Sequence, residues 1–329
     1  MFITLIIKHY PYSVSKRHSV TTVSLAEACR RSFLRCVSFA RRFALLVWPL
    51  FLPGWLLAQT APTADLPNLT LANFFSEGWD QPWIKRPNPG GAPDMALLRV
   101  QTNFLSQYVR ADFFSEQGLA STKNSVLDLL DVNMSKSLNR RFMVYAQGYY
   151  EWLQSRTPNR YANAFNYSVA GRIQLIDIPG SSYAFNLKAT SPAKQVGNDL
   201  TTITYSLAGW QDLTSYGLNR VGLYFSVLGD NYVGPHPPGA KETDTIYDVT
   251  LAKTWTEPSA ALQNFTTFAE FVGQTDLGGS FSGKTVVVVT PGFRFGIGHN
   301  QFLMAGVDLP ISHPRPYNWG LRLTYILDY

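Results

Sequence analysis

Beyond Cys36 the chain has no cysteine at all, the only other one being Cys29. That excludes a disulfide framework, a thiol nucleophile and a Cys-ligated metal site from everything downstream. Charge is scarce as well, at 15% of residues, and after residue 58 no apolar run reaches the roughly 18 residues that a membrane-spanning helix needs. HExxH, GxSxG and an Asp-rich calcium loop are also missing, so the common hydrolase and metal signatures are absent. The three histidines after the leader, His236, His299 and His313, are dispersed in loop-like sequence and read as solvated. No catalytic residue, cofactor site or metal site is expected.

The net charge of +6 is unevenly placed. Residues 1–58 hold eight of the 28 Lys and Arg but one of the 22 acidic residues, leaving 20 basic against 21 acidic in the remainder. The positive balance belongs to the leader, and no nucleic-acid partner is expected. Arg41-Arg42 precedes FALLVWPLFLPGWLLA (43–58), a basic flank and apolar core with the proportions of a secretory signal. Leu56 and Ala58 suit cleavage before Gln59, with a cut after Ala61 as the alternative. The segment is too short, and too interrupted by Pro53 and Gly54, for an anchor. The stretch before Phe43 exceeds a normal n-region, so the working start is expected downstream of Met1. Arg30-Arg31-Ser32-Phe33-Leu34 resembles a twin-arginine motif, but that route carries folded proteins, and the match is read as chance.

What is abundant is aromatic residues, 14% of the chain, and alternation. Residues 59–96 are rich in Pro, Gly and Asn without a period, which predicts an irregular arm that plugs a barrel or trails in the periplasm. From Leu97 to Tyr329 period two takes over. Twelve segments follow: near 97–110, 125–136, 140–152, 163–176, 181–189, 200–211, 217–228, 245–256, 263–273, 284–297, 300–309 and 319–329. In the last, Trp319, Leu321, Leu323, Tyr325, Leu327 and Tyr329 share one face, while Gly320, Arg322, Thr324 and Asp328 share the other. Connections alternate between short ones (137–139, 177–180, 298–299) and longer polar ones (190–199, 229–244, 310–318). The pattern predicts an all-β, up-and-down antiparallel transmembrane barrel of about twelve strands over 97–329, with a short irregular N-terminal arm. Lys253 falls on the apolar face beside Trp255 and is expected to snorkel to headgroups.

If the apolar rows face lipid, the polar rows line a lumen. The predicted lining comprises Arg99, Gln101, Asn103, Arg141, Tyr145, Gln147, Tyr149, Glu151, Arg172, Lys188, Arg220, Tyr224, Asp248, Glu270, Arg294, Asp308 and Arg322. Mixed charges there either pair across the interior or form a selective path. Twelve strands enclose more than the eight-stranded case, whose side chains fill it. Tyr145, Tyr149, Tyr224 and Phe268 offer apolar contact to an aromatic or acyl solute, or serve as filler. A soluble β-sandwich shows the same period, so the decision rests on which face is buried.

The terminal strand resembles the C-terminal signal that outer-membrane barrels present to their assembly machinery, so lipid and that machinery, through Trp319 to Tyr329, are expected partners. With the leader, the Pro-rich arm and GVDLPISHPRPYNWGLRLTYILDY, the chain resembles outer-membrane proteins associated with phenol meta-pathway degradation, relatives of long-chain fatty-acid transporters. That resemblance implies uptake of small hydrophobic or aromatic solutes across the bacterial outer membrane. The arm departs from the pattern in lacking a hatch motif. An outer-membrane lipid or ester hydrolase and a plugged structural or adhesion barrel are the alternatives.

Overall fold

The computed structural model describes residues 66–120, 125–154, 161–192, 200–234, 242–258, 262–278, 282–298, 300–313 and 315–329. The leader, its cleavage point, His236 and His299 lie outside them. Twelve strands follow in chain order: β1 (Tyr108–Gln117), β2 (Val126–Ser137), β3 (Phe142–Gln154), β4 (Tyr161–Ile178), β5 (Ser181–Thr190), β6 (Thr201–Asp212), β7 (Val221–Val233), β8 (Thr243–Thr254), β9 (Gln263–Asp276), β10 (Thr285–Gly298), β11 (Gln301–Pro310) and β12 (Trp319–Asp328). Each pairs antiparallel with its sequence neighbours, and β1 closes the ring against β12, from Tyr108 opposite Asp328 to Gln117 opposite Trp319. Closure leaves no sheet edge, so every strand backbone is paired twice, as a wall in hydrocarbon requires.

The faces decide between membrane and water. Phe165, Tyr167 and Val169 of β4 are exposed on the outside, as are Leu207 of β6, Val227 of β7, Val249 and Leu251 of β8 and Phe271 of β9. Between them Ser168, Arg172, Ser206, Ser226, Asp248, Thr250 and Glu270 point inward and are buried. A soluble barrel has the opposite arrangement, because water rewards a polar skin and an apolar centre. This is therefore an up-and-down transmembrane barrel. Lys253 reaches toward the strand end, where its ammonium bonds the Asn219 carbonyl and lies 5.6 Å from the Trp255 ring centre.

Val227→Arg tests this orientation. A guanidinium near the middle of the lipid face costs about 2–4 kcal/mol. The variant is expected to lose its heat-modifiable gel shift at a lower urea concentration than the wild type, whereas an unchanged midpoint would contradict the outward assignment.

One end of the barrel, the near end, holds the start of β1, the end of β12 and the tight turn 179–180. The far end carries longer links, including 191–200 and 311–318. The near end also has two longer connections between strands, before β7 and before β9, and Arg220, Glu257 and Pro258 from them line the cavity described below.

From residue 125 onward each expected segment coincides with a strand, with ends displaced by a few residues. The first does not: β1 begins at Tyr108, and residues 97–107 belong to the arm. Leu97, Leu98 and Val100 are buried inside the barrel among Trp210, Tyr224, Phe268, Met304 and Ile326. Polar and apolar residues can alternate whether the partner is another strand or a ring of side chains, so period two alone could not separate the two cases.

Candidate functional site

The site is the lumen and the segment that fills it. The arm is first tied to the near rim. Leu69 forms a two-residue bridge with Asp177, extending the sheet below β3. Buried Arg141 then clasps it: Nε donates to the Glu77 carbonyl at 2.8 Å and Nη2 to the Thr70 and Asn73 carbonyls at 3.2 Å. Nη1 meanwhile donates to the Gln174 and Leu175 carbonyls at 3.0 and 2.9 Å. Arg140 adds bonds to the Pro67 carbonyl and Gln81, both at 2.9 Å.

From there the arm runs inward. Tyr224 donates to the Pro93 carbonyl at 2.7 Å, and Asn88 to the Asp212 carboxylate at 2.8 Å. At its deepest, around Leu98 to Val100, the chain bends back and its backbone has no strand partner, which inside a membrane barrel would cost several kcal/mol per group left unmet. Charged side chains meet those groups from both sides. Arg110 donates to the Leu97 and Leu98 carbonyls at 2.8 and 3.1 Å through Nη1 and Nη2, while Nε and the same Nη2 bind Asp112 at 2.7 and 2.8 Å. Opposite, the Glu270 carboxylate accepts Arg99 N–H at 3.0 and 3.1 Å and Val100 N–H at 3.4 Å.

Gly306 makes the close approach possible. A Cβ there would stand 2.4 Å from Leu98 Cδ1 and 3.0 Å from the Pro291 carbonyl. The chain then returns to the near end. Arg172 holds the Phe104 carbonyl at 2.7 Å, and Ser135 and Ser137 hold the Ser106 carbonyl at 3.1 and 3.0 Å before β1 starts.

Asp308 is the hub on the far side. It receives Arg99 at 2.9 Å, Arg322 at 2.8 Å, Thr290 at 2.6 Å and Tyr317 at 3.2 Å. Two guanidiniums on one buried carboxylate are compensated by these short, charge-assisted bonds. Arg322 also stacks on Phe114, 3.7 Å from the ring centre, and Arg294 on Phe302 at 3.8 Å.

The structure thus distributes the sequence-predicted residues unequally. Arg99, Gln101 and Asn103 lie on the plug rather than in the wall. Arg141 clasps the rim from the turn before β3. Tyr145, Gln147, Tyr149, Glu151, Arg172, Lys188, Tyr224, Asp248, Glu270, Arg294, Asp308 and Arg322 sit at inward positions of their strands. Arg220 stands outside the wall, in the turn before β7, ion-paired to Glu257. Nor do the aromatics line an open path: Tyr224 and Phe268 pack on the plug, and Tyr145 packs with Leu105. Arg110, Asp112 and Tyr317 were missed. Arg110 and Asp112 sit at the misplaced strand boundary, and Tyr317 belongs to a loop, where parity says nothing.

Asp94 gives the seat a pH dependence. Burial pushes its carboxyl up to about 7, against the opposing pull of Lys85, the Asn103 amide and Arg172, with Asp177 adding repulsion. In a released, hydrated arm the same group returns to the ordinary value near 4. A raised pKa favours the seated arm fully below that ordinary value, and the advantage is lost as pH rises through 7. Protease cleavage within 83–94 is expected to be slower at pH 5 than at pH 8, and Asp94→Asn should flatten that difference. Equal pH sensitivity in the variant would assign the effect elsewhere.

No family model matches the chain, and no curated protein matches it. Solved structures do. An outer membrane channel from Pseudomonas putida F1 is similar at 9% identity and a TM-score of 0.49, over 74% of this chain and 99% of that one. The beta domain of the Bordetella autotransporter Brka gives 13% identity and 0.46, over 68% and 100%. The KdgM porin in complex with disordered oligogalacturonate gives 9% and 0.43, over 67% and 99%.

Proposed function

We propose that the protein is a bacterial outer-membrane channel or transporter for small, apolar or aromatic solutes, held shut in this state by its own arm. The observation that carries the reading is how the bore is filled. Twelve strands enclose more space than their side chains occupy. What closes the space is a single looped segment held by hydrogen bonds to charged groups, and water can replace such bonds when the segment leaves. With the arm withdrawn, Trp210, Tyr224 and Phe268 would line the near half and the carboxylates the far half. The even strand count, both barrel ends at one mouth and the apolar alternation of β12 support an outer-membrane location with the near end periplasmic. On this reading lipid surrounds the wall, and the assembly machinery takes hold of Trp319 to Tyr329.

Refolded protein in planar bilayers tests it. The wild type is expected to be closed or rarely open, and variants that loosen the arm to show discrete current steps. Silence from variants whose arm is demonstrably protease-accessible would remove the channel and leave a plugged structural barrel.

A further inference from the structure

At the near mouth the arm and the wall enclose a cavity of about 630 Å³. Trp83, Lys85, Asp94 and Phe104 face it from the arm, Arg220 from the link before β7, and Asn264 from the start of β9. Apolar surface supplies most of its lining, through Trp83, Phe104, Trp210 and several prolines.

Its charges do not balance. Arg86 and Arg140 share Asp177, at 3.2 and 3.7 Å, and Arg220 Nη1 pairs with Glu257. Lys85 has no ion pair among the described residues and hangs 5.9 Å from the Phe104 ring centre. The buried Nε of Arg220 has no hydrogen-bond partner. Asp94, the remaining carboxyl, is pushed up to about 7 by burial although Lys85 pulls it down, so below that pH it offsets little of the positive charge.

Backbone strain converges on the same place. Three non-glycine residues among those described have positive φ, and two of them, Arg220 at 54° and Asn264 at 48°, line this cavity. A left-handed backbone is strained for a residue such as Arg, less so for Asn with its short polar side chain, and free for glycine. Retaining Arg at such a position has a reason if its side chain is needed where that backbone aims it.

We propose that this cavity binds a small organic anion with an apolar body, its negative group met by Lys85 and Arg220 and its body by Trp83 and Phe104. Binding needs no passage through the lumen, so the inference stands or falls apart from the channel reading.

The test is calorimetric titration of the full, folded protein in detergent at low ionic strength, with sodium benzoate and sodium hexanoate as probes. Saturable binding of either, near one per chain, is expected. Benzyl alcohol and inorganic phosphate should each bind at least tenfold more weakly, since each lacks half of the recognised chemistry. Lys85→Met with Arg220→Gly should lower the affinity at least tenfold. Glycine keeps the left-handed turn, and an unchanged heat-modifiable shift shows that the barrel is intact. Arg220→Gly alone, with Lys85 present, is expected to fall between. The proposal is overturned if neither anion binds saturably, if benzyl alcohol or phosphate binds as well as benzoate, or if the double variant binds like the wild type.

Discussion

Glu270→Ala is expected to open the lumen. The Glu270 carboxylate is fully buried on β9 and is the acceptor for two successive arm N–H groups, Arg99 and Val100. Alanine leaves both donors without a partner in a site that water reaches only if the arm moves. Hydrogen bonds to a charged group contribute about 1.5–3 kcal/mol each, and an unmet buried donor adds its own desolvation cost. The seated state should therefore lose about 3–5 kcal/mol, and each 1.4 kcal/mol is tenfold in the ratio of seated to released arm. Current should rise by about a hundredfold or more in open probability. Protease cleavage in the arm should accelerate alongside it. Glu270→Gln keeps one acceptor oxygen without the charge and should fall between. A Glu270→Ala protein as silent and as protected as the wild type would show that the arm is held by something else.

How far this could be read from residue order depends on what each face has to satisfy. Lipid and water ask for opposite residue types on the two sides of one strand, so parity in β12 reports orientation directly: Leu321, Leu323 and Tyr325 outward, Arg322 and Thr324 inward. The same logic placed Arg172, Asp248 and Arg294. It fails where the partner is not a strand. Leu98 and Arg99 alternate like wall residues because the lumen presents an apolar patch at Trp210, Tyr224 and Phe268 and carboxylates at Glu270 and Asp308. Nothing local in FLSQYVRAD marks where the arm ends and β1 begins, since both are extended. Arg220 has inward parity, yet the strand starts one residue later and its left-handed backbone sends it to the mouth. The cavity itself was illegible, because Trp83, Arg220 and Asn264 are far apart in sequence and meet only once the barrel has closed.

Asp308→Asn should damage more than the plug. Glu270 touches the arm, whereas Asp308 joins the arm's Arg99 to Arg322 of β12, Thr290 of β10 and Tyr317 of the far link. Replacing it leaves two buried guanidiniums facing a neutral amide, and breaking a buried pair from one side typically costs about 3–5 kcal/mol. The loss should appear both as arm release and as a lower urea midpoint for the whole barrel, a combination that Glu270→Ala should not produce. Arg99→Met in the same background separates the contributions. It removes one of the stranded charges, so the double variant should be less destabilised than the two single changes summed, with a coupling of about 0.5–3 kcal/mol. If the effects simply add, Arg99 is not stabilised by Asp308, and the far anchor of the arm must be sought in the Glu270 and Arg110 contacts alone.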